Sequence, residues 1–258
     1  MLGAIAGDVI GSVYEFSNTT DRDIALFTAR SKFTDDTVLT VAVAEALMQG
    51  EPYPFKEKIR QWALEYPHSG YGGGFRKWMR SSDDQPYGSF GNGSAMRVSP
   101  VGFAFEGETQ TLVVAEQSAA VTHNHPEGIK GAQAVALAIF LARQKASKEA
   151  ISERIQRDFG YDLSRPIAET RKNYRFDETC QGSVPQAIRA FLESEDYESA
   201  IRLAVWLGGD SDTIACIAGG IAEAFYGGIP KTIESETLRR LPQEMKDVIN
   251  RFYAWKLR

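Results

Sequence analysis

Two short stretches concentrate oxygen ligands, Thr34-Asp35-Asp36-Thr37 and Asp210-Ser211-Asp212-Thr213. The first opens the apolar run VLTVAVAEAL, and the second opens a run built almost wholly of Ala, Gly, Ile, Cys and Phe. A helix N-cap uses one side-chain oxygen, so capping accounts for one Asp or Thr in each block and not for the block. Carboxylates and hydroxyls without a Cys or His cluster suit hard cations such as Mg2+, Mn2+ or Ca2+ rather than zinc. Thr34, Asp35, Asp36, Asp210, Asp212 and Thr213 supply oxygens for two octahedral ions, with water completing each shell. Two such ions about 3.5–4 Å apart hold substrate oxygens and lower the pKa of a shared water. On these grounds alone, phosphate-ester, amide and glycosidic hydrolysis all stay open.

Other stretches supply candidates for binding. Gly91-Asn92-Gly93-Ser94 can present a row of backbone N–H groups ahead of a helix starting near Ala95, a nest that suits a phosphate; the same glycines also read as a plain turn. His123 and His125 are two residues apart and point in different directions on an extended chain, which favours ligand contact or a cap-region hydrogen bond over metal ligation. His68 reads as a surface residue, and Cys180, with no histidine near it in sequence, as a packed thiol. Asp8 and Glu15 lie seven residues apart, about two helical turns, and so share a face of one helix; the blander reading makes each a helix-end charge.

Helices must position these groups. Residues 2–16 read as a buried helix whose Gly3, Gly7 and Gly11 share a face, where a neighbouring backbone can approach closely. Residues 17–33 form a polar loop, and Thr34 or Asp35 caps a helix that runs to about Met48 and closes at Gly50. Further helices are expected over 54–66, 109–121, 126–144, 148–158, 184–194, 197–207 and 242–255, with Pro126 at a first helical position. No β-alternation or internal repeat appears, so about ten helical segments make an all-α fold, one domain over residues 1–258.

Composition narrows the class. Hydrophobic residues at 43% and charged residues at 24% fit a globular chain, and a net charge of −5 with a pI near 5.4 gives no footprint for nucleic acid or an anionic membrane. Two cysteines make no disulfide framework, the apolar start lacks a basic leader, and no uncharged stretch reaches the roughly 18–20 residues of a membrane span. A cytoplasmic monomer is expected.

Four motifs in order, TDDT, GNGSAMRVSPVG, THNHPEGIKGAQAVA and GGDSDTIACIAGGIAEAFYG, resemble those of the ADP-ribosylglycohydrolase family and span residues 3–230. The resemblance implies a compact orthogonal helical bundle, two Mg2+ or Mn2+ ions, and cleavage of ADP-ribose from modified side chains or small adducts. By the same resemblance Thr34, Asp35, Asp36, Asp210, Asp212 and Thr213 are metal ligands, and Glu15 is the acidic residue ahead of a loop that closes over the site. Gly91, Asn92, Gly93, Ser94, Ala95 and Met96 match the loop that cradles the diphosphate. His123 matches a ligand contact, and Gly72 and Gly73 fall in the loop approaching the ribose or diphosphate. The implied reaction is hydrolysis at C1'' of the distal ribose by a metal-bound water, with Asp36 or Glu15 as the base and Asp35 beside them. That differs from the glycosidase pair of metal-free carboxylates.

Three rivals are weighed. An inactive ADP-ribose binder of the same family would be expected to have lost metal ligands, and here both acidic motifs are intact. An all-α phosphohydrolase needs a His-Asp dipeptide, which the chain lacks. A helical interaction protein with acidic caps leaves the motif pairing unexplained. The linkage cut, of arginine or serine type, is not written in the loops 17–33 and 66–90 that would wall the leaving group.

Overall fold

Small-residue faces decide which helices meet at the centre. The computed structural model describes residues 1–256, and in it a Cβ on Gly7 would stand 2.1 Å from the Ala215 carbonyl oxygen. A Cβ on Gly219 would stand 2.3 Å from the Gly3 carbonyl oxygen. The helices Leu2–Gly11 (α1) and Ser211–Tyr226 (α13) therefore touch backbone to backbone, and every residue of α1 is buried. The expected glycine face of α1 is what makes this contact.

Between them in the chain lie Asp35–Met48 (α2), Phe55–Glu65 (α3), Gly73–Arg80 (α4), Gly93–Met96 (α5), Ser99–Ala104 (α6) and Glu108–Ala120 (α7). Then come Pro126–Arg143 (α8), Lys148–Phe159 (α9), Ile167–Thr170 (α10), Cys180–Glu193 (α11) and Tyr197–Leu207 (α12). Lys231–Arg239 (α14) and Gln243–Lys256 (α15) follow α13. Helices α8, α11 and α12 pack on α13, while α2 meets α1, α3 and α15. The fold is all-α; among the described residues the only β-type pairing is one isolated bridge between Gly91 and Thr179. No described helix is long and apolar enough to cross a membrane.

The structure differs from the sequence expectations at three points and refines a fourth. Fifteen helices replace about ten among the described residues, because α5, α10 and others are too short to show a hydrophobic period. The first helix stops at Gly11, not residue 16: Ser12 Oγ donates to the Val9 carbonyl and the Tyr14 N–H to the Gly11 carbonyl, and these short bonds turn the chain away. Glu15 thus stands on a turn and not on the face of Asp8. Helix α11 begins at Cys180 rather than 184, since the Thr179 hydroxyl accepts from the Gly182 N–H and starts it early. Thr34 is the N-cap of α2, as expected, but its side chain makes no capping bond. That work is done by Asp8.

Candidate active site

Asp8 explains why the first acidic motif is TDDT. Thr34 and Thr37, three apart and so on one side of the helix start, both turn inward to the Asp8 carboxylate. It accepts from the Thr34 N–H at 2.9 Å, the Thr34 hydroxyl at 2.7 Å, the Thr37 N–H at 3.1 Å and the Thr37 hydroxyl. The two aspartates between them face the other way, into a cleft. The threonines are braces, and the aspartates are what they brace.

The second motif meets them there. Asp210, Asp212 and Glu15 each bring an oxygen within 4.8 Å of the others, and all three line the cleft with Asp35, Asp36 and Thr213. Thr213 Oγ1 donates to Asp36 Oδ2 at 3.3 Å, joining α13 to α2, while Asn92 Nδ2 donates to Asp210 Oδ2 at 2.7 Å. Gly70 lies so near that a Cβ would stand 2.9 Å from Asp35 Oδ1. The Glu15 turn is held by Asn18, whose amide donates to the Glu15 and Gly209 carbonyls and accepts from the Gly209 N–H at 2.9 Å. Gly208 and Gly209 both have positive φ, +84° and +74°, which brings that backbone under Asn18.

Burial, and then mutual repulsion led by Asp212, holds the Asp35 and Asp36 carboxyls well above the usual carboxylate range. For Asp212, burial is followed by the charge of Asp210, with the same outcome. Burial pushes Asp210 up to about 6, and burial with the charge of Asp212 pushes Glu15 up to about 8. Asp36 Oδ1 is buried without a hydrogen-bond partner. An orphaned carboxylate oxygen in a cluster of oxygen-only donors fits a divalent cation such as Mg2+ or Mn2+, which neutralises that charge and satisfies the free lone pairs.

The rest of the lining is glycine-rich and aromatic, with Gly72 to Gly74, Gly91, Gly93, Tyr87 and His123, while Asn92 and Met96 touch the acidic group through Asp210 and Thr213. His123 is buried and its Nδ1 pairs with the Thr122 hydroxyl at 2.7 Å. Burial and then the charge of Arg97 hold its pKa well below the ordinary value, so it is neutral. His125 takes the other role foreseen, capping α8 by accepting from the Glu127 N–H. Arg97 is fully buried, with Nη2 on the Ser118 carbonyl and Thr122 hydroxyl and with Nε and Nη1 unpartnered.

Several expected residues stand elsewhere. Thr34, Ser94 and Ala95 do not line the cleft: the Thr34 hydroxyl is turned to Asp8, the Ser94 hydroxyl donates to the Gly128 carbonyl, and Ala95 is packed in the core. The row of free N–H groups is shorter than expected, because Gly91 donates to Ser89 Oγ and Asn92 to the Glu178 carbonyl. Sequence reasoning missed Tyr87, Arg97, Phe176 and Glu178 in the lining, as well as Asn18. Single aromatic or charged residues in loops carry no spacing signal.

Comparison with known proteins gives the context for this cleft. Residues 1–257 match the ADP-ribosylglycohydrolase family, and the chain belongs to it. It is 29% identical to ADP-ribosylhydrolase ARH3 of Bos taurus over 88% of this chain and 84% of that protein. It is 24% identical to ADP-ribosylarginine hydrolase Tri1 of Pseudomonas putida (strain GB-1), over 96% of this chain and 76% of that one. A solved structure titled "ADP-ribosylglycohydrolase-related protein complex" superposes with a TM-score of 0.75 at 27% identity, covering 99% of this chain and 97% of the other. The family makes the chain an enzyme, a hydrolase of glycosyl bonds.

Proposed function

We propose that this member of the family hydrolyses the C1'' bond joining ADP-ribose to a modified side chain or small adduct, with two divalent cations, Mg2+ or Mn2+. The observation that carries the proposal is the convergence of Glu15, Asp35, Asp36, Asp210 and Asp212 on one cleft whose remaining lining is glycine-rich and aromatic. Asp35, Asp36, Asp210, Asp212 and Thr213 would hold the cations, with Glu15 beside them, and Thr34 acts through Asp8 instead. When bound, the cations supply charge neutralisation, a hold on the vicinal ribose hydroxyls and a lowered pKa for water.

The chain's own groups do the rest. Gly91, Asn92, Gly93 and Met96, with Gly72 and Gly73, bind the diphosphate side, and small residues let backbone approach phosphate. His123, being neutral, adds a contact without adding charge. Asp36, whose Oδ1 has no partner, or Glu15 takes the proton from the attacking water. The reaction unit is one domain over the whole chain, acting as a monomer in the cytoplasm, where two buried free thiols stay reduced.

The experiment is a panel of defined ADP-ribosyl adducts incubated with the protein and Mn2+ or Mg2+, with free ADP-ribose measured. Release from at least one adduct, abolished in Asp35→Ala and Asp212→Ala, is expected. No release from any adduct, or variants that match the parent, would sink the proposal. Glu15→Gln against Asp36→Asn then separates the two candidate bases.

A further inference from the structure

The lip of the cleft beside Glu15 is aromatic. Phe16, directly after Glu15, is 86% exposed, and its ring stacks on Phe176 with centroids 6.0 Å apart and planes 23° from parallel. Phe176 itself lines the cleft and is 44% exposed. Beyond this contact the Phe16 side chain is left to solvent. Glu178 shares the lip: it is exposed, lines the cleft, and its charge is among those that raise the Glu15 carboxyl.

Charge selects what can extend the stack. Glu15, Asp35, Asp36, Glu178, Asp210 and Asp212 line the cleft, whereas its one guanidinium, Arg97, is fully buried and held on the Ser118 carbonyl and the Thr122 hydroxyl. Two divalent cations answer four of those six carboxylates, so the cluster stays negative with both ions in place. A planar, weakly hydrated cation fits a phenyl face next to a carboxylate, since guanidinium stacks on aromatic rings and pairs with carboxylate in a fork. A serine hydroxyl needs neither partner.

Resting on the proposed hydrolysis at this site, we infer that Phe16, Phe176 and Glu178 set specificity on the leaving-group side, and that they take the guanidinium of an arginine. The ring of Phe16 lies flat on the guanidinium, Phe176 backs that ring, and Glu178 receives the N–H donors. Phe16 and Glu178 are exposed, so neither is needed for folding.

The test uses the whole protein with Mn2+ and saturating ADP-ribose, titrated with N-acetyl-arginine amide and with N-acetyl-serine amide by NMR. The arginine amide is expected to bind at least ~10-fold tighter. Phe16→Ala is expected to weaken it by about 2–5-fold, the range for an exposed cation–π contact, with Phe16→Tyr restoring it, and Glu178→Gln by about 1.5–5-fold, the range for an exposed ion pair. Equal binding of the two amides, or variants that leave the arginine amide unchanged, overturns the inference. Hydrolysis of matched ADP-ribosyl-arginine and ADP-ribosyl-serine peptides is read separately. A higher kcat/KM for the arginine peptide, lost through KM in Phe16→Ala, supports the inference, and equal values on both peptides count against it. Release from neither peptide, nor from any other adduct of the panel, refutes the hydrolase reading, while the amide titration still decides the lip.

Discussion

Gly11→Ala tests whether the small-residue contact between α1 and α13 sets the metal-binding geometry or merely fills the core. Gly11 ends α1, and a Cβ there would stand 2.5 Å from Asp212 Cα, 2.6 Å from the Ser211 carbonyl oxygen and 2.8 Å from the Asp212 N. All three atoms are backbone, so no side chain can swing aside. Ordinary contact begins at 3.4 Å, and Asp212 must therefore recede by about 0.9 Å. Overpacking of this kind costs about 1–3 kcal/mol, and alanine returns up to about 1 kcal/mol of helix propensity. The net loss is about 0–2 kcal/mol, or a melting temperature lower by up to roughly 8 °C.

The functional cost is larger. Metal–ligand distances tolerate about 0.2 Å, and a misplacement of about 1 Å at a reacting centre costs about 100-fold. Gly11→Ala is expected to fold, to lose at least ~10-fold in Mn2+ affinity by calorimetry, and to lose about 100-fold in kcat/KM. Gly7→Ala, which would put a Cβ 2.1 Å from the Ala215 carbonyl oxygen, one turn deeper, should cost more stability and less metal affinity. Gly107→Ala, with nothing within 4 Å, is the neutral control. A folded Gly11→Ala protein that binds Mn2+ within twofold of the parent would refute the reasoning, as would metal losses that simply track stability in both α1 variants.

Three further outcomes follow from the buried groups. Asp8→Ala leaves the Thr34 and Thr37 N–H groups without their acceptor and is expected to cost about 2–6 kcal/mol, at about 1–3 kcal/mol for each; Asp8→Asn keeps an acceptor and should cost clearly less in denaturant titrations. Glu15 is pushed up to about 8 from 4.5, so the metal-free fold keeps a proton that the unfolded chain has released; stability is full below about 4.5 and falls as pH rises through about 8. Metal binding requires the ionised form, so the rise in melting temperature with Mn2+ should grow over the same window, and a pH-independent increment would contradict the assignment. Burial pushes the Cys180 thiol up to about 12 and Cys216 well above its usual value, so neither should react with a thiol reagent until the protein unfolds.

The carboxylates were legible because they come in blocks. Aspartate pairs flanked by threonines at the head of apolar runs exceed what capping uses, and that surplus pointed to cations before any fold was known. What each threonine does was not legible. Thr34 and Thr213 look alike in sequence, yet Thr34 turns to Asp8 and Thr213 to Asp36, a difference that only the tertiary contacts of each side chain decide. Glu15 was placed on a helix because its spacing from Asp8 matches two turns; the short bonds at Ser12 and Tyr14 end that helix first. Tyr87, Phe176 and Asn18 act from irregular loops, where neither period nor motif marks a residue.

The charges of the cleft also bear on how a substrate enters it. On the proposed reading, six ionised carboxylates would repel a diphosphate, while Arg97, which is fully buried, stays cationic with a pKa lowered to about 10 and keeps two nitrogens unpartnered. Without divalent cations the acidic cluster holds protons instead, as the raised carboxyls of Asp35, Asp36 and Asp212 show. Protonated carboxyls hydrogen-bond to hydroxyls but bring no positive charge toward the distal ribose. An anionic ligand therefore gains its full electrostatic stabilisation only once those protons have been exchanged for cations. On the proposed reading, that exchange turns a cluster held neutral by protons into one that attracts the anionic ligand toward Asp36 and Glu15.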